Sequence, residues 1–399
     1  MKNHILFVST LCSKRVFEYI RRNSTDKSGQ AIQKFHQLLV NGLAEQKNNV
    51  IETSTSIPVT PKINSKKIFR FKAEKINNIH FKYIPIINLP IIKNLNILIY
   101  SFIKVLSWNL FNGKKNNFLI CDVLALSNCI GAFCASKIRG LKIIGIVTDM
   151  PGLGVSSFTF LESLKSRIIH YYLLNFDGYI LITAQTNKII NPKNRPSIVI
   201  EGFVDKTMET HENTLENKED ERILLYSGGV FERYGIKNLM KGFMLLKDTS
   251  IRLHIYGSGA MAKEMPKYME LDSRIKYMGV VPVHILVERQ VKATLLINPR
   301  PTVEEFTKYS FPSKNMEYMV SGTPVVTTLL PGMPKEYLPY VYLFKDESIE
   351  GIYEVLLKLL NIPKIELHSF GIRAKIFVLE NKNHLIQGER ISEFIKNIK

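Results

Sequence analysis

The feature that most constrains this chain is a recurrence of short apolar runs. Each ends in a glycine, proline or polar turn, and longer mixed segments lie between them. The first half shows it at His4–Ser9, Phe118–Ser127 and Lys142–Thr148, with a helix expected over Gln30–Ala44. The second half shows it at Ile223–Gly228, Arg252–Gly257, Ile275–Val280, Ala293–Asn298 and Thr323–Thr328. Runs of that length alternating with helix-length segments are the mark of βαβ units and a parallel sheet. A length of 399 residues suits two such domains better than one. The expected fold class is therefore α/β, with two Rossmann-like, doubly wound domains facing across a cleft. Residues 1–203 would form the N-terminal domain and 223–399 the C-terminal domain, its last helix able to pack back on the first. Residues 204–222 gather carboxylates without an apolar period, which reads as a surface linker.

Ligands of open parallel sheets bind beyond the carboxyl ends of the strands. In the second half those ends carry Gly228 and Gly229, then Gly257 and Gly259, then Gly279, then Asn298-Pro299-Arg300. Glycine there lets a ligand approach the backbone closely. The stretch Asn298–Val326 is the richest: strand, loop, a helix opening at Pro312 and stopping at Gly322, then another strand. Backbone N–H groups of Ser310 to Lys314, with Phe311 and Ser313 among them, would face the strand ends and can hold a phosphate. Arg300 and Lys314 put cations beside a helix N-terminus against the dipole, and a bound anion would resolve that conflict. Glu317, one turn further in, is placed to accept hydrogen bonds from vicinal hydroxyls such as those of a ribose.

This segment resembles the donor-site motif of the GT-B glycosyltransferases, of the retaining family 4 type known from bacterial surface-polysaccharide assembly. The stretches LLYSGGVFERYGI, LHIYGSG, IKYMGVVP and IVIEGFVD agree with it. The resemblance implies transfer of a hexose-type sugar, with retention, from a nucleotide-sugar, UDP-sugars being favoured. The acceptor would be a saccharide or a polyprenyl-diphosphate-linked saccharide. It implies no metal and no cofactor beyond the donor, and no D-x-D pair follows any strand. Glu317 matches the second glutamate of the E-x7-E pair, the one that holds the ribose. Tyr309 stands in place of the first. Gly229 and Tyr234 stand where many relatives carry an arginine and a lysine for the diphosphate, leaving Arg300 and Lys314 to supply that charge, with Arg233 a further candidate. Without a metal, leaving-group charge falls to cations and backbone N–H groups.

In the first half Asp149 follows a strand and precedes a Gly-Pro turn. Two readings stay open: it orients or deprotonates the acceptor hydroxyl, or it caps a turn. Gly29, ahead of the helix at Gln30, can admit a ligand to the backbone. Charge is lopsided: residues 1–200 hold 27 Lys/Arg against 9 Asp/Glu, whereas residues 201–399 hold 27 against 26. Such a field draws polyanions. The basic stretch Lys62–Lys82 leads into an apolar one, Tyr83–Gly113, cut by Lys93 and Lys104 into runs too short to span a bilayer. It reads either as an interfacial helix on an anionic membrane or as a core helix behind a basic loop. The first reading places the chain in the cytoplasm, peripheral on the inner face of the membrane. No helix-turn-helix, zinc or RNP-like motif supports nucleic acid as a partner. The four cysteines lack C-x-x-C spacing and read as reduced thiols. Gly257-x-Gly259-x-x-Ala262 also fits a dinucleotide fingerprint, but no acidic residue ends the following strand, which counts against an oxidoreductase. A non-catalytic GT-B-like binding or assembly partner is the remaining alternative.

Overall fold

The computed structural model describes residues 2–25, 30–110, 116–149, 167 and 169–398. It divides into two compact units, Met1–Phe203 with His384–Lys399, and Val204–Asn383.

The first unit is built on an eight-stranded sheet in the order β10-β9-β8-β7-β1-β2-β5-β4. Its strands are β1 (Asn3–Ser9), β2 (Asn49–Thr55), β4 (Glu74–Ile76), β5 (Ile79–Phe81), β7 (Asn117–Asp122), β8 (Lys142–Val147), β9 (Gly178–Leu181) and β10 (Ser197–Val199). All neighbours pair parallel except the edge strand β4. A separate antiparallel pair joins β3 (Ile68–Phe69) to β6 (Ile86–Ile87). Because the sheet is covered on both faces, its central strands are nearly continuous apolar runs. Ile5 and Phe7 feed one core cluster, Leu6 and Val8 the other. Helix Gln30–Ala44 lies against helix His384–Lys396. The packing is close because Gly42 and Gly388 meet: a Cβ on Gly42 would sit 1.9 Å from the His384 carbonyl oxygen.

The second unit holds a six-stranded parallel sheet in the order β13-β12-β11-β14-β15-β16. These are β11 (Arg222–Gly229), β12 (Ile251–Ser258), β13 (Ile275–Gly279), β14 (Leu295–Asn298), β15 (Val325–Thr328) and β16 (Tyr342–Phe344). Strand order reverses between β11 and β14, the place where doubly wound sheets open a ligand crevice. Leu224, Leu253 and Leu295 enter one core cluster and Ile223, Leu225 and Leu296 the other.

Residues 204–222, read in the sequence as a surface linker, are mostly exposed or half-buried and are fastened at two points. Lys218 Nζ donates to Val291 O at 2.7 Å, Ala293 O at 3.0 Å and Thr323 Oγ1 at 2.9 Å. Asn213 Nδ2 donates to Ser321 O at 2.7 Å. Among the described residues no helix is long and apolar enough to cross a membrane. Cys12, Cys121 and Cys129 are buried free thiols and Cys134 is an exposed one.

Candidate functional site

The carboxyl end of β11 and the loops after β12 and β14 converge at the switch point of the second unit. Gly257 has φ +128, and a Cβ there would lie 1.8 Å from Gly228 O. A Cβ on Gly259 would come within 2.2 Å of Val230 O, and one on Gly235 within 2.0 Å of Pro299 O. Three backbone segments therefore touch here with no room for side chains, which is why the sequence places glycine at each. Gly229 is hemmed in differently, by the rings of Tyr234 and Phe231.

Arg300 leaves β14 just past Asn298, and its guanidinium carbon lies 4.6 Å from the Tyr234 ring centroid and 5.5 Å from that of Phe306. Arg233 stacks on the same pair at 5.3 and 5.7 Å. Two cations are thus held on aromatic faces. Tyr234, which occupies a position given to a lysine in the resembled motif, serves here as a platform for arginine. The loop after β14 is tied down where Thr302 N donates to Glu347 Oε2 at 2.9 Å.

Helix Ser313–Ser321 has Pro312 as its N-cap and Gly322, at φ +77, closing it in the left-handed conformation. It carries no acidic residue in its first turn. Ser313 is exposed, Phe311 buried, and Tyr309 and Ser310 half-buried. The Ser310 hydroxyl oxygen is buried without a hydrogen-bond partner among the described residues.

One relation adds to the sequence reading, which gave Lys314 to the diphosphate and Glu317 to the ribose. Lys314 Nζ donates to Glu317 Oε2 at 2.7 Å, both side chains about 30% exposed. The i,i+3 spacing puts them on one face. Burial pulls the Lys314 pKa down, but the Glu317 carboxylate and its hydrogen bond outweigh that, so the ammonium is held above the ordinary lysine value. A phosphate arriving at this helix end would meet a lysine already oriented by its neighbour.

Sequence reasoning missed the group that holds these parts together. Tyr318 is fully buried. Its hydroxyl accepts from Ser227 N at 2.7 Å and donates to Ser227 O at 3.0 Å. Gln290 Nε2 completes the cluster by donating to Ser227 Oγ at 3.1 Å. The β11–β14 ladder carries only Leu224↔Leu295 and Leu225↔Leu296. Beyond it, where the strands part, a side chain supplies the partners a neighbouring strand would have given. The available signal was a tyrosine at i+4 from Lys314 and three residues past Asn315.

Of the remaining candidates, Asp149 lies in the first unit, exposed at the bend after β8. Gly29 falls outside the described residues. No group of three or more His, Cys, Asp or Glu able to hold a metal occurs among the described residues.

Residues 207–377 match the family model described as glycosyl transferases group 1, a span of under half the chain. No curated protein sequence matches. Among solved structures, sucrose-phosphate synthase from Thermosynechococcus elongatus superposes with a TM-score of 0.70 at 13% identity, covering 100% of this chain and 99% of its own. HepE of Anabaena in complex with UDP gives a TM-score of 0.65 at 12% identity, with 99% of each chain covered. The lipopolysaccharide outer core galactosyltransferase WaaB gives 0.62 at 15% identity, covering 98% of this chain and 99% of its own. With two Rossmann-like units throughout and a group 1 glycosyl transferase match in the second, the chain has the GT-B glycosyltransferase fold.

Proposed function

We propose that the chain transfers a hexose-type sugar from a nucleotide-sugar, a UDP-sugar by preference, to a saccharide or polyprenyl-diphosphate-linked saccharide. Transfer proceeds with retention and without a metal, as a step of bacterial surface-polysaccharide assembly at the inner face of the membrane. The observation that carries this reading is the convergence at one switch point of a glycine-lined backbone, an aromatic-seated Arg300 and a helix N-terminus bearing Lys314 and Glu317. HepE of Anabaena, similar in fold, has been solved with UDP, with UDP and glucose and with UDP-glucose.

In this reading the glycines and the N–H groups of Ser310 to Lys314 cradle the diphosphate, with Tyr309, Phe311 and Ser313 lining the approach. Arg300 and Lys314 stabilise charge that grows on the leaving diphosphate, and that growth is why they raise turnover more than affinity. Glu317 keeps Lys314 in place and offers carboxylate oxygen to the ribose. Asp149 acts on the acceptor hydroxyl. A second reading, a non-catalytic GT-B-like binding partner, is favoured by Tyr309 standing where the resembled motif has its first glutamate.

Calorimetry with a panel of nucleotide-sugars, followed by assay of donor hydrolysis and transfer, tests both readings. Glu317→Ala should lose about 1.5–3 kcal/mol of donor affinity, the range for a hydrogen bond to a charged group. Donor binding without turnover would favour the binding partner. Absence of donor binding in the wild type would overturn both.

A further inference from the structure

Helix Ile92–Ser107 of the first unit is apolar on two faces. Ile97, Ser101 and Val105 are buried. On the opposite side Ile92, Leu95, Ile99 and Ile103 are exposed. Their spacing of three, four and four residues keeps them in one stripe. Leu110 is exposed beyond one end. At the other end Ile91 is 83% exposed and adopts φ +64, a conformation β-branched residues seldom take. Strand β6 packs against this helix. Directly opposed across the β3–β6 pair, Ile68 and Ile87 are exposed as well. Scattered exposed isoleucines are ordinary, but a continuous apolar surface marks a contact site.

Glu52 from β2 pairs with Lys82 and with Lys104 of the helix, and the stretch leading into the helix is otherwise almost wholly basic. Lys62, Lys66, Lys67, Arg70, Lys72 and Lys75 are all exposed. Glu74 is the only carboxylate between residues 62 and 107. It is already taken by Ser13, Arg15 and Tyr83. A second copy docking by this face would bring like charges together across a two-fold contact. An anionic surface meets them with opposite charge.

We propose that helix Ile92–Ser107 and the β3–β6 ribbon seat in the headgroup layer of an anionic bilayer. Ile92, Leu95, Ile99, Ile103, Ile68 and Ile87 reach the acyl boundary, and the basic stretch lies on the anionic headgroups. At 16 residues the helix is too short to span and lies in the plane. This inference deepens the membrane partner of the preceding reading and rests on that element alone. Donor binding belongs to the second unit.

The test uses the whole chain with phosphatidylcholine vesicles, pure or containing phosphatidylglycerol, in a sedimentation assay at low and high salt. The wild type should bind the anionic vesicles at low salt, and salt should weaken that binding. The triple variant Leu95→Gln, Ile99→Gln, Ile103→Gln should bind them at least about tenfold more weakly, through the lost apolar transfer. Reversal of Lys66, Lys67, Arg70 and Lys72 to Glu should cost at least about tenfold as well. Both variants should keep nucleotide binding and the emission of Trp108, the single tryptophan, buried at the end of this helix. Should the triple variant lose that emission, Ile99→Gln alone must still weaken vesicle binding. Wild-type protein that ignores anionic vesicles, or a triple variant that binds them undiminished, overturns the proposal. So does a wild-type dimer that the triple variant dissolves. Loss of nucleotide binding in the wild type would count against sugar transfer and leave this surface standing.

Discussion

The two sheets reverse strand order at the same kind of place and use that place differently. In the first unit the point lies between β1 and β7, and it is filled from within. Asn128 Nδ2 donates to Ser9 O at 3.1 Å and Ser54 O at 2.9 Å. Gln33 accepts from Cys12 N at 2.9 Å and donates to Thr10 O at 2.6 Å. His36 and Asp122 are shut in beside them, Nε2 of the first 3.9 Å from Oδ2 of the second. In the second unit glycines line the same point, and Tyr318 secures one strand while the rest of the crevice stays open to cations and N–H groups. One topology can thus close on its own polar groups or leave them for a ligand, and side-chain choice at a few positions decides which.

The comparison breaks most sharply at Gly257. Replacing it with alanine forces a Cβ into Gly228 O at a φ alanine resists. We expect the second unit to lose about 3 kcal/mol or more, with donor binding lost. In a urea titration one unfolding transition should move and the other stay. Two unmoved transitions would refute the close approach. Next comes Tyr318→Phe, which strands the Ser227 backbone groups for about 1–3 kcal/mol. Donor affinity should fall along with stability, and preserved affinity would show that the crevice does not depend on this anchor. Asn128→Ala should cost the first unit about 1–3 kcal/mol and leave nucleotide binding unchanged, because its bonds are internal. A change in nucleotide affinity would end the distinction between a closed and an open crevice.

The smallest effect is a pH slope. Burial raises Asp122 from its ordinary 3.8 to about 7 and lowers His36 from 6.5 to about 3. The Asp122 contribution to stability is present below about 4 and is lost as pH rises through 7, since the folded chain keeps a proton the unfolded chain gives up. That of His36 is present above about 6.5 and lost as pH falls through 3. Between these limits the two oppose each other. Asp122→Asn should leave the histidine unopposed between pH 5 and 6, above the range of the lowered Glu52 and Glu74 carboxyls, so that stability of the first unit climbs there by at most about 1.4 kcal/mol per unit. A flat profile in that variant would place the histidine outside this balance.

The fold was legible because parallel strands buried on both faces must be apolar along their length. The run Ile223–Gly228 becomes β11 (Arg222–Gly229), and Arg252–Gly257 becomes β12 (Ile251–Ser258). The glycines of the crevice were legible for a related reason: only glycine permits those backbone contacts. Partnerships made in space were not. Nothing in the spacing of Lys218 and Asn213 reveals that they tie residues 204–222 to the helix ends of the second unit, because hydrogen bonds to distant carbonyls leave no periodic trace. The Lys314–Glu317 pair sat at a readable i,i+3 spacing, yet reading each for its own ligand hid it. Tyr318 passed for one more core side chain because its hydroxyl is satisfied by backbone. The antiparallel edge strand β4 (Glu74–Ile76) was lost in a basic stretch whose short elements carry little pattern.

The helix His384–Lys396 returns to the first unit after the chain has built all of the second. Synthesis order and folding order therefore part company. The second unit has its full sequence once Asn383 has emerged, whereas the first must wait with the Gly42 face of its helix bare and the places of Ile391 and Ile395 in its core vacant. A nascent chain would carry a finished second unit ahead of a finished first one. Cleavage after Asn383 would damage the half of the molecule most distant from the cut in sequence, and spare the half beside it.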